Sequence, residues 1–294
     1  MTLRDYLIEQ QQLVDRELDR LTPPESVAPA TIHRAMRYSL FAGGKRIRPL
    51  LCLASAAAVS DSIDGAVTAA CTLELVHTYS LIHDDLPALD NDDYRRGSLT
   101  CHRVFGEAMA ILTGDALLTF AFQVLSKCLT VDDRRKTLLI GELSEAAGTA
   151  GGMIGGQVAD LEGEGQPPDA ALLESIHRAK TGALLRASVR MGAIYAAATP
   201  AQLAALSAYG EHIGLAFQMI DDILDVEESS QSLGKTAGKD ARQQKITFPA
   251  VYGLDESKRM AETERRKAHA ALELFGSRAQ RLGELADYIV RRKA

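Results

Sequence analysis

The sequence predicts an all-α protein, a large single-domain helical bundle. Three observations predict it. Ala, Leu, Glu and Arg are abundant, while alternating runs of Val, Ile and Thr are scarce, which favours helix over strand. Apolar residues recur at helical spacing over 28–42, 49–59, 65–83, 104–128, 134–150, 170–197, 201–226 and 257–275. Breakers stand between these stretches, at Pro23-Pro24, Gly43-Gly44, Pro87, Gly97, 163–168 and Pro200, where turn chemistry is expected. The pattern reads as about eight to twelve helices. No repeat and no linker divides the chain, so one domain over residues 1–294 is the expectation.

In chain order, the N-terminal segment MTLRDYLIEQQQLVDREL is charged and amphipathic and lacks the apolar core of a signal peptide. After the 28–42 stretch comes GGKRIRP, in which a glycine pair lets the backbone turn sharply and Pro49 suits a first helical position. The stretches 65–83 and 201–226 are apolar almost all round, as befits helices at the centre of a bundle. Both are expected to end in aspartates. The polar stretch EESSQSLGKTAGKDARQQK reads as a loop able to close over a ligand.

Composition excludes several classes. A net charge of −6 argues against nucleic acid as the main partner. Cys52, Cys71, Cys101 and Cys128 form no CxxC pair and fit free thiols in a reducing compartment. No segment approaches the roughly 20 apolar residues of a membrane span, so a cytoplasmic protein is expected.

The chemistry lies in two acidic clusters. The first, DDLPALD, contains Asp84, Asp85 and Asp90. Pro87 disfavours helix at the residue before it, so Asp84 and Asp85 fall in or just past a last turn. The second, DDILD, contains Asp221, Asp222 and Asp225. With Gln218 these stand at i, i+3, i+4 and i+7 on one helix face. Like charges so placed repel, and a cation should offset them. Carboxylates without imidazole or thiolate suit a hard ion, and magnesium is the natural choice. The glycine and terminal glutamate of a calcium-binding EF-hand are missing.

Basic clusters supply a counterpart for anions. Lys45, Arg46 and Arg48 in GGKRIRP would together grip a diphosphate. Arg95 and Arg96 follow the first acidic run directly. Lys180 and Thr181 lie inside a predicted helix, and Lys235, Lys239 and Lys245 lie in the polar loop. His77 stands seven residues before Asp84 on the same helix face. His33, His83, His102, His177, His212 and His269 carry no functional expectation.

DDLPALDNDDYRRG and DDILD resemble the two aspartate-rich motifs of the trans-prenyltransferases. GGKRIRP, KTGAL at 180–184, FQMIDDILD at 217–225, LGKTAGKD and KITFP are similar to that family as well, in its order and spacing, from about residue 30 to 250. Two positions depart from it: Gln244 stands where many relatives have glycine, and Asn91 replaces a frequent aspartate. The resemblance implies an isoprenoid synthase fold, a bundle around a central cavity, and commonly a homodimer. It implies that Asp84, Asp85, Asp90, Asp221, Asp222 and Asp225 hold three magnesium ions on an allylic diphosphate. Lys45, Arg48, His77 and Arg96 would then bind isopentenyl diphosphate. Arg95, Lys180, Lys235 and Lys245 would grip the allylic diphosphate, and Thr181 and Gln218 would face the developing carbocation.

The four-residue gap in DDLPALD is similar to that of bacterial farnesyl and plant-type geranylgeranyl diphosphate synthases. Tyr79 stands five residues before Asp84, about 7–8 Å deeper along the helix at ~1.5 Å per residue. In the family an aromatic there looks like a floor that stops growth at fifteen carbons, with Ser80 leaving the adjacent position open. The expectation is farnesyl diphosphate made from isopentenyl and dimethylallyl or geranyl diphosphate, with geranylgeranyl diphosphate as the alternative. A terpene cyclase would not need the GGKRIRP site, and a non-catalytic subunit would not need both acidic clusters.

Overall fold

The computed structural model describes residues 1–127, 131–167, 169–231 and 246–292, the side chains of 228–231 excepted. Cys128, Lys235, Lys239, Gln244 and Lys245 lie outside the described residues. The all-α expectation holds: 77% of the described residues are helical. The strands among the described residues are one small hairpin, β1 (Tyr94–Arg95) against β2 (Ser98–Leu99). The chain divides into two compact units, Met1–Leu53 with Ile63–Ile140, and Ala54–Ser62 with Gly141–Ala294.

In the first unit, α1 (Leu3–Leu21) opens on a capping box, in which the Thr2 side chain accepts from the Asp5 amide and Asp5 returns the bond. Next come α2 (Ala30–Leu40) and α3 (Ile47–Val59), which runs on into the second unit. The core helix is α4 (Ala66–Asp84), buried on every side along Ala69, Leu73, Val76, Tyr79 and Ile82. Its neighbours are α1, α2 and α6. The single helix expected over 104–128 breaks at Gly106 into α5 (Cys101–Phe105) and α6 (Glu107–Ser126). Contrary to the sequence expectation, α6 is long and apolar enough to cross a membrane, with mean hydropathy 1.7 over its best window. Its Ala110, Thr113, Gly114, Leu117 and Ala121 are buried, and the helix packs on α4 as a core element.

In the second unit, α7 (Asp133–Ala147) enters from the first, and α8 (Met153–Gly163) follows. Then α9 (Ala170–His177) continues through a π-helical turn (Arg178–Gly182) into α10 (Ala183–Tyr195). The long α11 (Pro200–Gln231) is the core helix. Around it lie α9, α10, α12 (Phe248–Tyr252), α13 (Leu254–Ala271) and α14 (Gln280–Arg291). Leu173, Leu215, Met219, Ile223 and Phe248 form one buried apolar cluster. Helices α1, α8, α12 and α14 have no counterpart among the predicted stretches.

Candidate functional site

The first acidic cluster is built on the end of a helix. Asp84 is the last residue of α4 and Asp85 caps it. The last carbonyls of a helix need donors, and the following loop supplies them. The Asp90 amide donates to Asp84 O at 2.8 Å, and the Asp92 amide to Asp85 O at 3.2 Å. That return brings Asp90 back beside Asp84, so the DxxxxxD spacing becomes a local cluster.

The hairpin then delivers Arg95 to it. Its two-residue turn is Arg96-Gly97, with φ of 53° and 80°, the left-handed pair that matches strand twist. Arg95 clamps Asp85, with Nε 2.8 and 2.9 Å from the two carboxylate oxygens and Nη2 2.5 Å from Oδ1. Asp92 lies 3.7 Å from the same guanidinium. Burial pushes the Asp85 carboxyl up, and the hydrogen bond and charge of Arg95 only partly reverse this. Asp84 and Asp90 stay half-buried. A pocket lined by Thr78, Leu81, Ile82, Asp85, Arg95 and Arg96 adjoins the cluster.

The GGKRIRP segment separates into two jobs. Arg46 is 3% exposed. It donates to Asp15 and Glu74 at 2.8 Å each and to Leu40 O at 2.7 Å. The expectation that all three cations grip a ligand is therefore corrected: Arg46 neutralises buried Glu74 and holds α1, α2 and α4 together. Lys45 is exposed and Arg48 half-buried. Arg96 donates to Gly43 O, and any Cβ on Gly44 would collide with its guanidinium, so only glycine admits Arg96 here.

His77 completes this basic group. Burial, then Arg48, Arg96, Arg95 and Arg46, hold its imidazole well below the usual range. It is therefore neutral at physiological pH and can accept or donate one hydrogen bond. A group of cations that suppresses its own histidine is a site shaped for an anion. Tyr79 is buried on the same helix, its hydroxyl without a partner among the described residues and its ring edge-on to His83. Ser80 Oγ donates to His77 O at 2.9 Å.

The second cluster is not at a helix end. Asp221, Asp222 and Asp225 lie within α11, which runs on to Gln231. The expected terminal position is corrected: the helix continues because no breaker follows Asp225 before the polar stretch. Gln218 and the aspartates do share a face, but their partners differ. Asp221 pairs with Arg292, whose side chain is 8% exposed and whose guanidinium stacks 3.9 Å over the Phe217 ring. Asp222 Oδ1 accepts from Gln218 Nε2 at 2.9 Å, and Oδ2 from the Phe248 amide at 2.9 Å.

Lys180 and Thr181 lie on the π-helical turn rather than in regular helix. Such turns re-aim side chains and often mark functional positions. Thr181 Oγ1 donates to Gln218 Oε1 at 2.8 Å. Lys180 Nζ donates to Asp160 Oδ2 at 2.6 Å. A Cβ on Gly156 would strike the Lys180 backbone, so that glycine lets α8 approach the turn closely.

Sequence reasoning missed Asp160, Gln157, His177 and Arg292. The GGMIGGQVAD run before and across α8 was the available signal for the first two. Gln157 Oε1 is buried without a partner among the described residues. Arg292 gave no signal, standing 71 residues from Asp221.

The donors fit magnesium: they are carboxylate oxygens, with no soft ligand among them. Among the described residues no three donor side chains already converge on one ion position. Magnesium takes one or two carboxylates and completes its shell with water and phosphate oxygens.

Carboxylate sets suited to a hard ion and a cation group that suppresses its own histidine define a class: an all-helical enzyme that acts on diphosphates. The polyprenyl synthetase family model matches residues 29–282. A dimethylallyltranstransferase of Fischerella ambigua is 49% identical over 292 residues, covering 99% of this chain and 84% of that protein. The farnesyl diphosphate synthase of Geobacillus stearothermophilus is 47% identical over 263 residues, covering 88% and 87%. The solved geranylgeranyl pyrophosphate synthetase of Pyrococcus horikoshii superposes with a TM-score of 0.90 at 30% identity, over 99% of this chain and 98% of that one. The chain belongs to the polyprenyl synthetase family, with the isoprenoid synthase fold, and is a prenyltransferase of the trans-prenyl diphosphate synthase type.

Proposed function

We propose that this chain joins isopentenyl diphosphate head to tail to dimethylallyl and geranyl diphosphate, giving farnesyl diphosphate and diphosphate. The observation that carries the reading is the division of charge within the first unit. One group, Asp84, Asp85 and Asp90 with Arg95, suits a metal-bound diphosphate. The other, Lys45, Arg48, Arg96 and a neutral His77, suits a diphosphate without metal.

In this reading residues 1–294 are one synthase domain that uses three magnesium ions. Of the six aspartates that the resemblance implies, Asp84, Asp90, Asp221 and Asp225 would hold them; Asp85, whose oxygens Arg95 engages, and Asp222, whose oxygens Gln218 and the Phe248 amide engage, are 3% exposed each and are set apart. Bound magnesium stabilises the negative charge that grows on the leaving diphosphate. Arg95 and Lys180 add fixed positive charge there, as do Lys235 and Lys245 from outside the described residues. Heterolysis of the C1–O bond gives an allylic cation, which the Thr181 hydroxyl and Gln218 carbonyl oxygen, fixed to each other, face. The alkene of isopentenyl diphosphate attacks C1. A proton then leaves the new cation for the departing diphosphate, which fits the lack of an obvious protein base. The exposed apolar Ile111 and Leu112 on α6 support a homodimer.

The fifteen-carbon limit rests on Tyr79, a bulky ring buried in the α4 core about one and a half turns before Asp84. Purified protein with magnesium and the two substrates should release farnesyl diphosphate, identified by mass. Tyr79→Ala should extend the product to twenty carbons or more. Twenty-carbon product from the unaltered enzyme favours the geranylgeranyl alternative, and unchanged fifteen-carbon product from the variant rejects Tyr79 as the floor.

A further inference from the structure

The second unit holds a buried cluster around Asp222 to which the reaction above gives no step. Asp221 has a side chain 45% exposed, whereas Asp222 is 3% exposed. A magnesium ligand must present an oxygen to a hydrated ion and to phosphate. Asp222 instead turns one oxygen to Gln218 Nε2 and the other to the Phe248 amide.

His177 closes the remaining side. It is 6% exposed, its ring stacks on Phe248 with centroids 5.3 Å apart and planes 17° from parallel, and its Nε2 lies 3.4 Å from Asp222 Oδ2. Neither ring nitrogen has a hydrogen-bond partner among the described residues. His177 is also the residue from which the π-helical turn departs. Three segments therefore meet at one carboxylate: the turn carrying Lys180 and Thr181, the Gln218 face of α11, and the start of α12. Thr181 donates to Gln218 Oε1, which leaves the Gln218 amide nitrogen facing Asp222. A buried carboxylate is costly unless its hydrogen bonds are made, and here they are made to the groups that need fixing.

We propose that Asp222 is a positioning residue rather than a magnesium ligand: with His177 it clamps α12 to α11 and, through Gln218, keeps Thr181 in register. The clamp rests on the prenyl-transfer reading only for what it positions, because its contacts are all made within the chain.

The experiment compares Asp222→Asn, Asp221→Asn and His177→Phe in the full chain. Melting temperature and hydrogen exchange at the Phe248 amide are read in EDTA. Mn²⁺ binding is read by electron paramagnetic resonance with inorganic diphosphate present. A ligand carboxylate is not needed in EDTA, and its removal relieves repulsion. A clamp is needed there. Asp222→Asn should melt roughly 4 °C lower or more and exchange the Phe248 amide about tenfold faster, with Mn²⁺ affinity within about threefold of wild type. Asp221→Asn should keep melting and protection and lose most Mn²⁺ binding. His177→Phe, which keeps the stack and removes the nitrogen edge, should speed exchange about threefold; it decides the matter if Asp222→Asn does not fold. Unchanged melting and protection in the Asp222 variant, or in His177→Phe where that variant decides, overturns the clamp. Wild-type protein that makes no prenyl product overturns the functional reading and leaves the EDTA arms standing.

Discussion

The two aspartate clusters look alike as sequence and are built in opposite ways. The first sits where α4 stops, and a loop folds back so that its amides satisfy the helix end. Its carboxylates stand at the negative pole of the helix dipole, and Arg95, ten residues on, supplies the local cation. The second sits inside α11, where every backbone group is already paired and side-chain direction alone sets the cluster. Its cation, Arg292, comes from far along the chain. A helix end can be retuned by its loop. A helix face is fixed once the helix is, so its members can diverge in role at adjacent positions, as Asp221 and Asp222 do.

The largest effects should come from removing one charge in each cluster. Asp84→Asn and Asp221→Asn should each lower kcat by about 10²–10³-fold, the scale of one lost electrostatic contact to a developing charge. Circular dichroism melts should match wild type, because neither side chain is buried. A variant that melts early instead would place that aspartate in the fold rather than in the chemistry.

The basic segment offers a comparably large effect with the opposite signature. Arg46→Met leaves Glu74 buried and unpaired, which costs about 3–5 kcal/mol and should show in urea melts. Arg48→Gln should leave the melt alone and raise the KM for isopentenyl diphosphate about tenfold, with the allylic KM unmoved. If both variants behave alike, the division of GGKRIRP into a structural and a binding half fails.

A smaller effect concerns pH. His77 is depressed by burial and by Arg48, Arg96, Arg95 and Arg46. The unfolded chain therefore binds a proton that the folded chain refuses, and stability rises with pH through the unfolded value near 6.5. Below that value each pH unit costs about 1.4 kcal/mol from this group until its folded pKa is reached. Melts from pH 7.5 to 5.5 should fall more steeply for wild type than for His77→Gln. Inorganic diphosphate, which compensates the arginines, should flatten the wild-type curve.

The helices with unbroken apolar periodicity, α4 and α11 above all, were legible because burial on every side leaves a continuous pattern. So was the shared face of Gln218, Asp221 and Asp225, since helical geometry is enough to place it. What escaped depends on contacts distant in sequence. Asp15 and Glu74 show that Arg46 is structural, and neither is near it in the chain. The π-helical turn at 178–182 is invisible to a 3.6-residue period, which runs on from α9 into α10. The β1–β2 hairpin is too short to alternate. Helix α14 is amphipathic enough to have been found, but its Arg and Glu residues masked the apolar stripe of Leu282, Leu285, Ala286 and Ile289.

The smallest expected effect sharpens the contrast between the two resident cations. Under the proposed function Arg95 grips the allylic diphosphate, so Arg95→Gln should weaken that substrate. Arg292 has a different standing. It lies against Phe217 and donates to Phe217 O at 3.0 Å, and its charge is disfavoured by burial. It pairs with the carboxylate that a metal also needs. An ion that takes Asp221 Oδ1 must displace it, and a pair of this kind is worth about 1 kcal/mol. Arg292→Gln should therefore lower the magnesium concentration for half-maximal rate by about fivefold, while Arg292→Lys restores the wild-type value. A rise in that concentration for the Gln variant would make Arg292 a support for the metal rather than its competitor, and the two clusters would then share one design after all.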